Sequence, residues 1–343
     1  MDTHSVDHDT EIDQLQWGTF GDWIQLVRLP TSFTLLSNCL AAGIVAGHLW
    51  WPMTAFIPTL LASLFAYWAG MIHNDVVDQE EDRRSRPNRP LVSGRISPVI
   101  AGHIANGMLL LGPLIILAVT FLHTSDQLWL LAAFMSSGIL SCCVRFYNSP
   151  IKHTILGPVV MGACRAMNII MVGATMLAVN TLPPIVDENA PVPSTVQFPA
   201  GLVGLAIGIG IYIVGVTFYA RKEEGDSSPA TLSFGVLLQV VGLVVIGGLG
   251  VWTQDQYDFK TLNPVRGYPL LIGLIGLTIV NRAMAGVRHP VSRKVQLAVK
   301  HSILSLILID AAVVLMWAGP WHAAVLIALL VPALASSLRV RST

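Results

Sequence analysis

The sequence alternates between long apolar stretches and short polar connections along most of its length. Apolar segments lie at about 24–47, 54–75, 98–121, 127–146, 155–180, 200–220, 230–252, 267–287, 298–318 and 321–338. A helix needs about 20 apolar residues to cross a bilayer, and these segments have that length. They are too long for barrel strands, and backbone groups in lipid must bond within their own segment. The pattern therefore predicts an all-α, polytopic transmembrane bundle of up to ten helices.

Composition agrees with this class. Hydrophobic residues make up 53% and charged residues 12% of the chain, whereas about 25% of a soluble domain is charged. We therefore expect a multi-pass integral protein of a bacterial inner (cell) membrane or an organelle membrane. The net charge of +0 gives no indication of a nucleic-acid partner.

The N-terminal region differs from the rest of the chain. Residues 1–22 carry six acids, no Lys or Arg, and no apolar core. This composition predicts a disordered acidic tail and no cleavable signal peptide. Residues 23–340 then form a single transmembrane domain.

Basic residues are distributed unevenly between the connections. They concentrate after the even-numbered segments and in the C-terminal tail, at Arg83, Arg84, Arg86, Arg89, Arg95, Arg145, Lys152, Arg221, Lys222, Arg288, Arg293, Lys294, Arg339 and Arg341. Among the odd-numbered connections, only the one after segment seven carries Lys or Arg. Because positive charge marks the cytoplasmic side, both termini are predicted to be cytoplasmic.

The most informative polar cluster ends segment two. Asp75, Asp78 and Asp82 are spaced to share one face of a helix. Carboxylates so close together repel unless a hard cation holds them, and Mg²⁺ prefers oxygen ligands shared with a phosphate. Arginines offer forked donors to phosphate and follow at once, at Arg83, Arg84, Arg86 and Arg89. The cluster predicts a magnesium–diphosphate site, with a solvated loop of mixed charge as the alternative.

A second acidic cluster occupies the corresponding place four segments later. Segment six ends in Tyr219-Ala220-Arg221-Lys222-Glu223-Glu224-Gly225-Asp226. The two clusters are predicted on the same membrane face, where they could bind metal ions on both sides of one diphosphate. The alternative is that charges simply gather where helices end.

Further candidates lie after segment four and inside two spans. Arg145, Tyr147 and Lys152 could reach the same diphosphate, or could serve as positive-inside anchors. Arg165 and Asn168 share a helix face within segment five, and an arginine inside a span usually faces a polar cavity. Other intramembrane or boundary charges are ambiguous: Asp310 either lines a cavity or has a structural role, and Arg28 is expected to be an interface anchor.

Several of these motifs resemble the UbiA superfamily of intramembrane prenyltransferases. The resemblance rests on N-D-x-x-D-x-x-x-D at Asn74 to Asp82 and on the run from Arg86 to Ser97. The region with Tyr147, Lys152, Gly157, Arg165 and Asn168 is also similar. The resemblance implies a helical bundle around a central cavity, Mg²⁺, a polyprenyl diphosphate donor and a hydrophobic acceptor, usually aromatic and otherwise a lipid.

The resemblance also assigns roles to residues. It implies catalytic roles for Asp75, Asp78, Arg145, Lys152 and Arg165, substrate binding by Asn74, Arg83, Arg86, Arg89, Tyr147, Asn168, Arg221 and Lys222, and metal ligation by Asp75, Asp78, Asp82, Glu223 and Asp226. The second motif departs from the family pattern D-x-x-x-D, because Glu223 and Ser227 occupy its two acidic positions. Nine helices are usual in the family, so the tenth segment is either an extra helix or a surface piece.

Two other protein classes share some of these features. A secondary transporter with an acidic site at its cytoplasmic face would also have about ten spans and intramembrane charges such as Arg165 and Asp310. Its ionisable residues should lie mainly at the bilayer midplane, whereas those of this chain concentrate at one face. A CDP-alcohol phosphotransferase is disfavoured because Ala220-Arg221 lacks a leading Asp-Gly.

Overall fold

The computed structural model describes residues 16–339 except 48–50, 125, 181–196, 222–227, 258 and 260. Most of the predicted acidic tail, and Lys222, Glu223 and Asp226 of the second acidic cluster, therefore lie outside the described residues. Within the described part the chain is all-helical apart from one isolated bridge between Trp17 and Ile96. The predicted all-α class is confirmed.

The helices follow the predicted segments closely. They are α1 (Phe20–Leu26), α2 (Leu29–Val45), α3 (Met53–Val77), α4 (Gln79–Ser85), α5 (Pro98–His123), α6 (Gln127–Tyr147), a 3₁₀ turn (Pro150–His153), α7 (Leu156–Asn180), α8 (Ala200–Ala220), α9 (Pro229–Thr253), α10 (Gly267–Arg288), α11 (Ser292–Ala318), α12 (Pro320–Ala328) and α13 (Leu330–Arg339). Among the described residues, eight helices are long and apolar enough to cross a membrane: α3 and α5 to α11.

The first and tenth predicted segments differ from continuous spans. Arg28 has a φ of 50°, which breaks the first segment into α1 and α2. The left-handed region is unfavourable for a residue with a side chain, so the helix does not continue through it. The tenth segment is interrupted near Leu329 and divides into α12 and α13. Both regions form apolar helices that are shorter than the other spans.

Proline and glycine mark several helix boundaries. Proline lies at one of the first two positions of α2, α5, α9 and α12, where its missing N–H breaks no helical bond. Gly319 ends α11 with a φ of 89°, a conformation that glycine adopts without strain.

Glycines allow α8 and α9 to pack with their backbones in contact. A Cβ atom at Gly242 would lie 2.6 Å from the backbone nitrogen of Tyr212, and one at Gly235 would lie 2.8 Å from the carbonyl oxygen of Gly215. Close approach through small residues is how membrane helices gain packing energy. This tight pair forms one wall of the bundle, and α8 carries side chains into its interior.

Candidate active site

A cavity of about 790 Å³ lies inside the bundle, between α2, α3, α6, α7, α8 and α11. One end is lined by Asp78, Asp82 and Lys152 and is called the mouth below. The other end is lined by Ser63, Arg165 and Asn168 and is called the floor. Between them the walls are mainly apolar, with Leu35, Ala66, Leu140, Val144, Met161, Ile213, Val216, Val299, Ile303 and Leu306.

The acidic motif lies where α3 gives way to α4. Asp78 lies between α3 and α4. Its backbone N–H donates to the carbonyl of Asn74, and its carbonyl accepts from the N–H of Asp82. The side chain of Asn74 donates to Asp78 over 3.0 Å. Asp82 lies in the first turn of α4, where negative charge is favoured by the helix dipole. The local fold thus brings the predicted aspartates to one place.

Cations bind all three aspartates directly. Asp75 accepts hydrogen bonds from Arg28 and Arg89, each over 2.9 Å. Arg89 also bonds Asp82, and Lys152 bonds Asp78. Asp75 is only 4% exposed and does not line the cavity, so its position does not support the predicted metal-ligating and catalytic roles.

Burial affects the charged groups outside the spans. It raises the pKa of Asp82, an effect that Arg89 opposes and the nearby Asp75 adds to. Burial also lowers the pKa of Arg89, which the two aspartates oppose. The charged forms of Asp82 and Arg89 are therefore stabilised by pairing with each other and with Asp75, in place of solvation by water.

The mouth has the oxygen donors that a magnesium ion needs. Asp78, Glu81 and Asp82 line it together with the side-chain amide of Asn74. Within the described residues, no group of three His, Cys, Asp or Glu is close enough to form a complete metal site. Mg²⁺ usually takes one or two carboxylates and completes its shell with water and substrate phosphate, so the residues present fit it.

The segment between α6 and α7 brings Lys152 to the mouth. Tyr147 and Asn148 end α6, and the 3₁₀ turn then carries Lys152 and His153 to the cavity. A Cβ atom at Gly157 would lie 2.5 Å from the carbonyl oxygen of Lys152, so only glycine allows this close turn. Arg221, at the end of α8, donates to the carbonyl of His153 over 2.5 Å.

The floor contains a second polar group deep in the bundle. Arg165 donates to Asn38 over 3.0 Å and to Thr34 over 3.2 Å, and its guanidinium lies 5.7 Å from the ring centre of Tyr67. Asn168 accepts from Ser63 over 2.7 Å. The predicted intramembrane pair therefore lines the cavity, as its spacing on one helix face indicates.

Some of the predicted site residues occupy other positions. Arg145 is exposed on α6 and does not line the cavity, so its position does not support the predicted catalytic role. Arg83 pairs with Glu80 over 3.2 Å on the surface, and it too lies outside the cavity lining. Arg86, Tyr147 and Arg221 do line the cavity, and Arg89 supports it from behind through Asp75 and Asp82.

The expectation for Arg28 was wrong. It was expected to be an interface anchor, but it lines the cavity and pairs with the buried Asp75. Its φ of 50° turns the chain between α1 and α2. The sequence did contain a signal for this role. Pro30 predicts a helix start, and Arg28 is a basic residue just before it, where the helix dipole disfavours positive charge.

Comparison with known proteins identifies relatives of the fold. The sequence model described as the UbiA prenyltransferase family matches residues 35–254. A protoheme IX farnesyltransferase of Bradyrhizobium diazoefficiens is 26% identical over 177 residues, which is 51% of this chain and 49% of the relative. The match thus spans about half the length of that curated relative.

Solved structures share the architecture. A digeranylgeranylglyceryl phosphate synthase superposes with a TM-score of 0.59 at 15% identity, covering 88% of this chain and 99% of the other. A UbiA homologue from Archaeoglobus fulgidus superposes with a TM-score of 0.53 at 14% identity, covering 85% of this chain and 98% of the other. These similarities show a shared fold.

Proposed function

The chain belongs to the UbiA prenyltransferase family, and we propose that it transfers a prenyl group from a polyprenyl diphosphate to a hydrophobic aromatic or lipid acceptor. The observation that carries this proposal is the cavity itself, which joins a charged mouth to long apolar walls. A prenyl diphosphate has the same division between a charged end and an apolar chain.

The reaction needs stabilisation of a leaving group. The bond between C1 of the prenyl chain and the diphosphate oxygen breaks, and its electron pair leaves with the diphosphate. A bond forms between C1 and the acceptor, which releases a proton. Lys152, Arg28 and Arg86 line the mouth and would neutralise the charge that develops on the diphosphate.

Magnesium would supply Lewis-acid neutralisation of the diphosphate when bound. We propose that Asp78 and Asp82 hold it on one side, with Asp75 keeping Arg28 and Arg89 in place behind them. Glu223 and Asp226, outside the described residues, are proposed to hold metal on the other side. Support comes from Ala220 and Arg221, which lie three and two residues before Glu223 in the sequence and line the mouth.

The walls would protect the reactive prenyl cation from water. Leu140, Val144 and Met161 face the cavity below the mouth. Exclusion of water prevents hydrolysis of the cation. The ring of Tyr147 also faces the cavity and would stabilise positive charge through its π-face.

We propose that the mouth opens towards the cytoplasm and that both termini lie on that side. The support is the concentration of Lys and Arg in the even-numbered connections. Single cysteines placed at positions 80 and 188 of a Cys-free variant should be labelled by an impermeant reagent from opposite sides. Labelling of both from the same side would contradict this topology.

The function itself is tested by product analysis. Purified protein is incubated with isotopically labelled prenyl diphosphates, Mg²⁺ and a lipid extract, and the products are identified by mass spectrometry. Transfer of the label to a new lipophilic product is expected. Full transfer in excess chelator would contradict the magnesium requirement, and absence of any prenylated product with every donor would contradict the transfer.

A further inference from the structure

The floor holds a guanidinium, that of Arg165, with no direct ionic partner in the described part of the chain. Among the described residues, no carboxylate lies within the 4.0 Å of an ion pair from Arg165, although Arg28 and Lys152, which also line the cavity, have such pairs. Two of its five N–H donors are used, by Asn38 and Thr34. Arg165 is partly exposed to the cavity, so its remaining donors can meet a ligand there.

The negative charge that balances Arg165 belongs to Asp310, and the side chain of Asn38 lies between the two. Asp310 on α11 is 0% exposed and accepts from Ser37 over 2.5 Å. It also accepts from the side-chain nitrogen of Asn38, over 2.7 and 2.9 Å to its two oxygens. The amide of Asn38 therefore links the two charges, with its nitrogen on Asp310 and its oxygen on Arg165.

This arrangement fixes the orientation of the amide. If Asn38 flipped, its nitrogen would face the guanidinium, which has only donors, and its oxygen would face a carboxylate, which has only acceptors. Ser37 adds a further donor that holds the carboxylate in place. A charge buried in a membrane span is costly, so its presence here indicates a role.

The distance from the mouth indicates which substrate Arg165 would meet. Tyr67, beside Arg165, precedes Asp78 by eleven residues on α3, a rise of about 16 Å. A diphosphate held at Asp78 would lie towards the opposite end of the cavity from Arg165. The prenyl chain is apolar and offers no acceptor for N–H groups. An acceptor oxygen is the remaining partner.

We propose that Asp310 is a positioning residue that, through Asn38, aims the remaining N–H donors of Arg165 at an oxygen of the acceptor. The proposal rests on the proposed function, because it assigns the acceptor to the floor. Arg165 is the group that touches the acceptor, and Asp310 and Asn38 hold it in place. This floor site is independent of the metal residues at the mouth.

The test uses two variants that break the link and one matched control. Asp310→Asn removes the charge, and Asn38→Leu removes the connecting amide. Ser302→Ala is the control, because Ser302 is a buried residue of the same helix whose hydroxyl bonds Gln239 instead. The readout is solid-state ¹⁵N NMR of arginine-labelled protein in bilayers, with the Arg165 signals assigned by their loss in Arg165→Gln.

In the wild type and in Ser302→Ala, the guanidinium nitrogens of Arg165 should give separate signals because their hydrogen bonds hinder rotation. Asp310→Asn and Asn38→Leu should each merge or shift these signals. Titration with benzoate, an oxyanion probe, should shift them at a concentration about 10-fold or more higher in both variants than in the wild type. The double variant should be no worse than either single one.

Unchanged Arg165 signals in Asp310→Asn would overturn the proposal, as would an equal change in Ser302→Ala. Failure of benzoate to shift the wild-type signals would overturn the assignment of the floor as an oxygen-binding site. Magnesium-dependent binding of geranyl diphosphate is measured in parallel and should be the same in all variants. If the wild type binds neither geranyl diphosphate nor any longer prenyl diphosphate, the proposed function fails, whatever the Arg165 signals show.

Discussion

The mouth and the floor of the cavity hold their charges in opposite ways. At the mouth, Asp78 contacts Lys152 directly and Asp75 contacts two arginines. At the floor, Arg165 and Asp310 are joined through the neutral amide of Asn38. Direct pairs can exchange one partner for a phosphate or a metal ion. A linked pair keeps its geometry when a ligand arrives.

Exposure follows the same division. The side chain of Arg28 is 38% exposed and that of Lys152 is 18% exposed, whereas Asp310 is 0% exposed. Water weakens the pairs at the mouth and lowers the cost of breaking them. Removing one partner of a buried pair is much more costly. The mouth is suited to rearrangement during turnover, and the floor to fixed orientation.

The largest effect is expected for Asp78, the aspartate that lines the mouth and contacts Lys152. Asp78→Ala should lower prenyl transfer at least about 10³-fold, because it removes a preorganised electrostatic group and a proposed metal ligand together. Release of diphosphate from labelled donor measures this loss. Glu80→Ala is the control, since Glu80 is exposed and pairs only with Arg83 among the described residues. Equal losses in both variants would contradict a specific site at the mouth.

The second acidic motif should have the next largest effect. Glu223→Ala and Asp226→Ala should each lower transfer at least about 10²-fold, the scale of one preorganised group. Glu224→Ala should be nearly silent and serves as the control. A fully active Glu223→Ala would show that only the first acidic cluster carries metal. The acidic part of the mouth would then consist of the residues of α3 and α4 alone.

A comparison of Arg28 with Arg83 tests whether a cation must line the cavity to affect transfer. Arg28→Gln should lower transfer about 10-fold to 10²-fold, because it removes a cavity cation and one partner of Asp75. Arg83→Gln should have little effect, since Arg83 lies outside the cavity lining. The measurement is initial rate against donor concentration. A silent Arg28→Gln would limit the cationic clamp to Lys152 and its neighbours.

Sequence reasoning predicted residues that share one helix better than contacts between helices. The three aspartates lie within one helical stretch, so their spacing alone indicates a common face. The Asn38–Asp310 contact joins residues 272 positions apart, and such a contact depends on how α2 packs on α11. Arg28 was misjudged for the same reason, since its partner Asp75 comes from another element, where Arg89 bonds the same carboxylate. Arg145 lies at the end of α6 that carries the mouth residue Tyr147, but it is on a face of that helix that does not line the cavity.

The smallest effect is expected outside the cavity, at the start of α1. Asp22 accepts from the backbone and side chain of Thr19, each over 2.8 Å, and from Arg95 over 2.5 Å. The bonds from Thr19 and the charge of Arg95 lower the pKa of Asp22 below its ordinary value of 3.8. A lowered pKa means that the ionised carboxylate stabilises the folded state above about pH 3.8. This contribution disappears as the pH falls through the lowered value.

Asp22→Asn should therefore reduce the free energy of unfolding by about 1 kcal/mol at pH 6, the scale of one helix cap. The difference from the wild type should shrink as the pH falls below the ordinary value of 3.8. Thermal unfolding of both proteins in detergent across this range measures the difference. Transfer at pH 6 should be nearly unchanged, because Asp22 does not line the cavity. A loss of transfer as large as that of Arg28→Gln would extend the mouth to α1, because Asp22 bonds Arg95, which follows α4 in the chain.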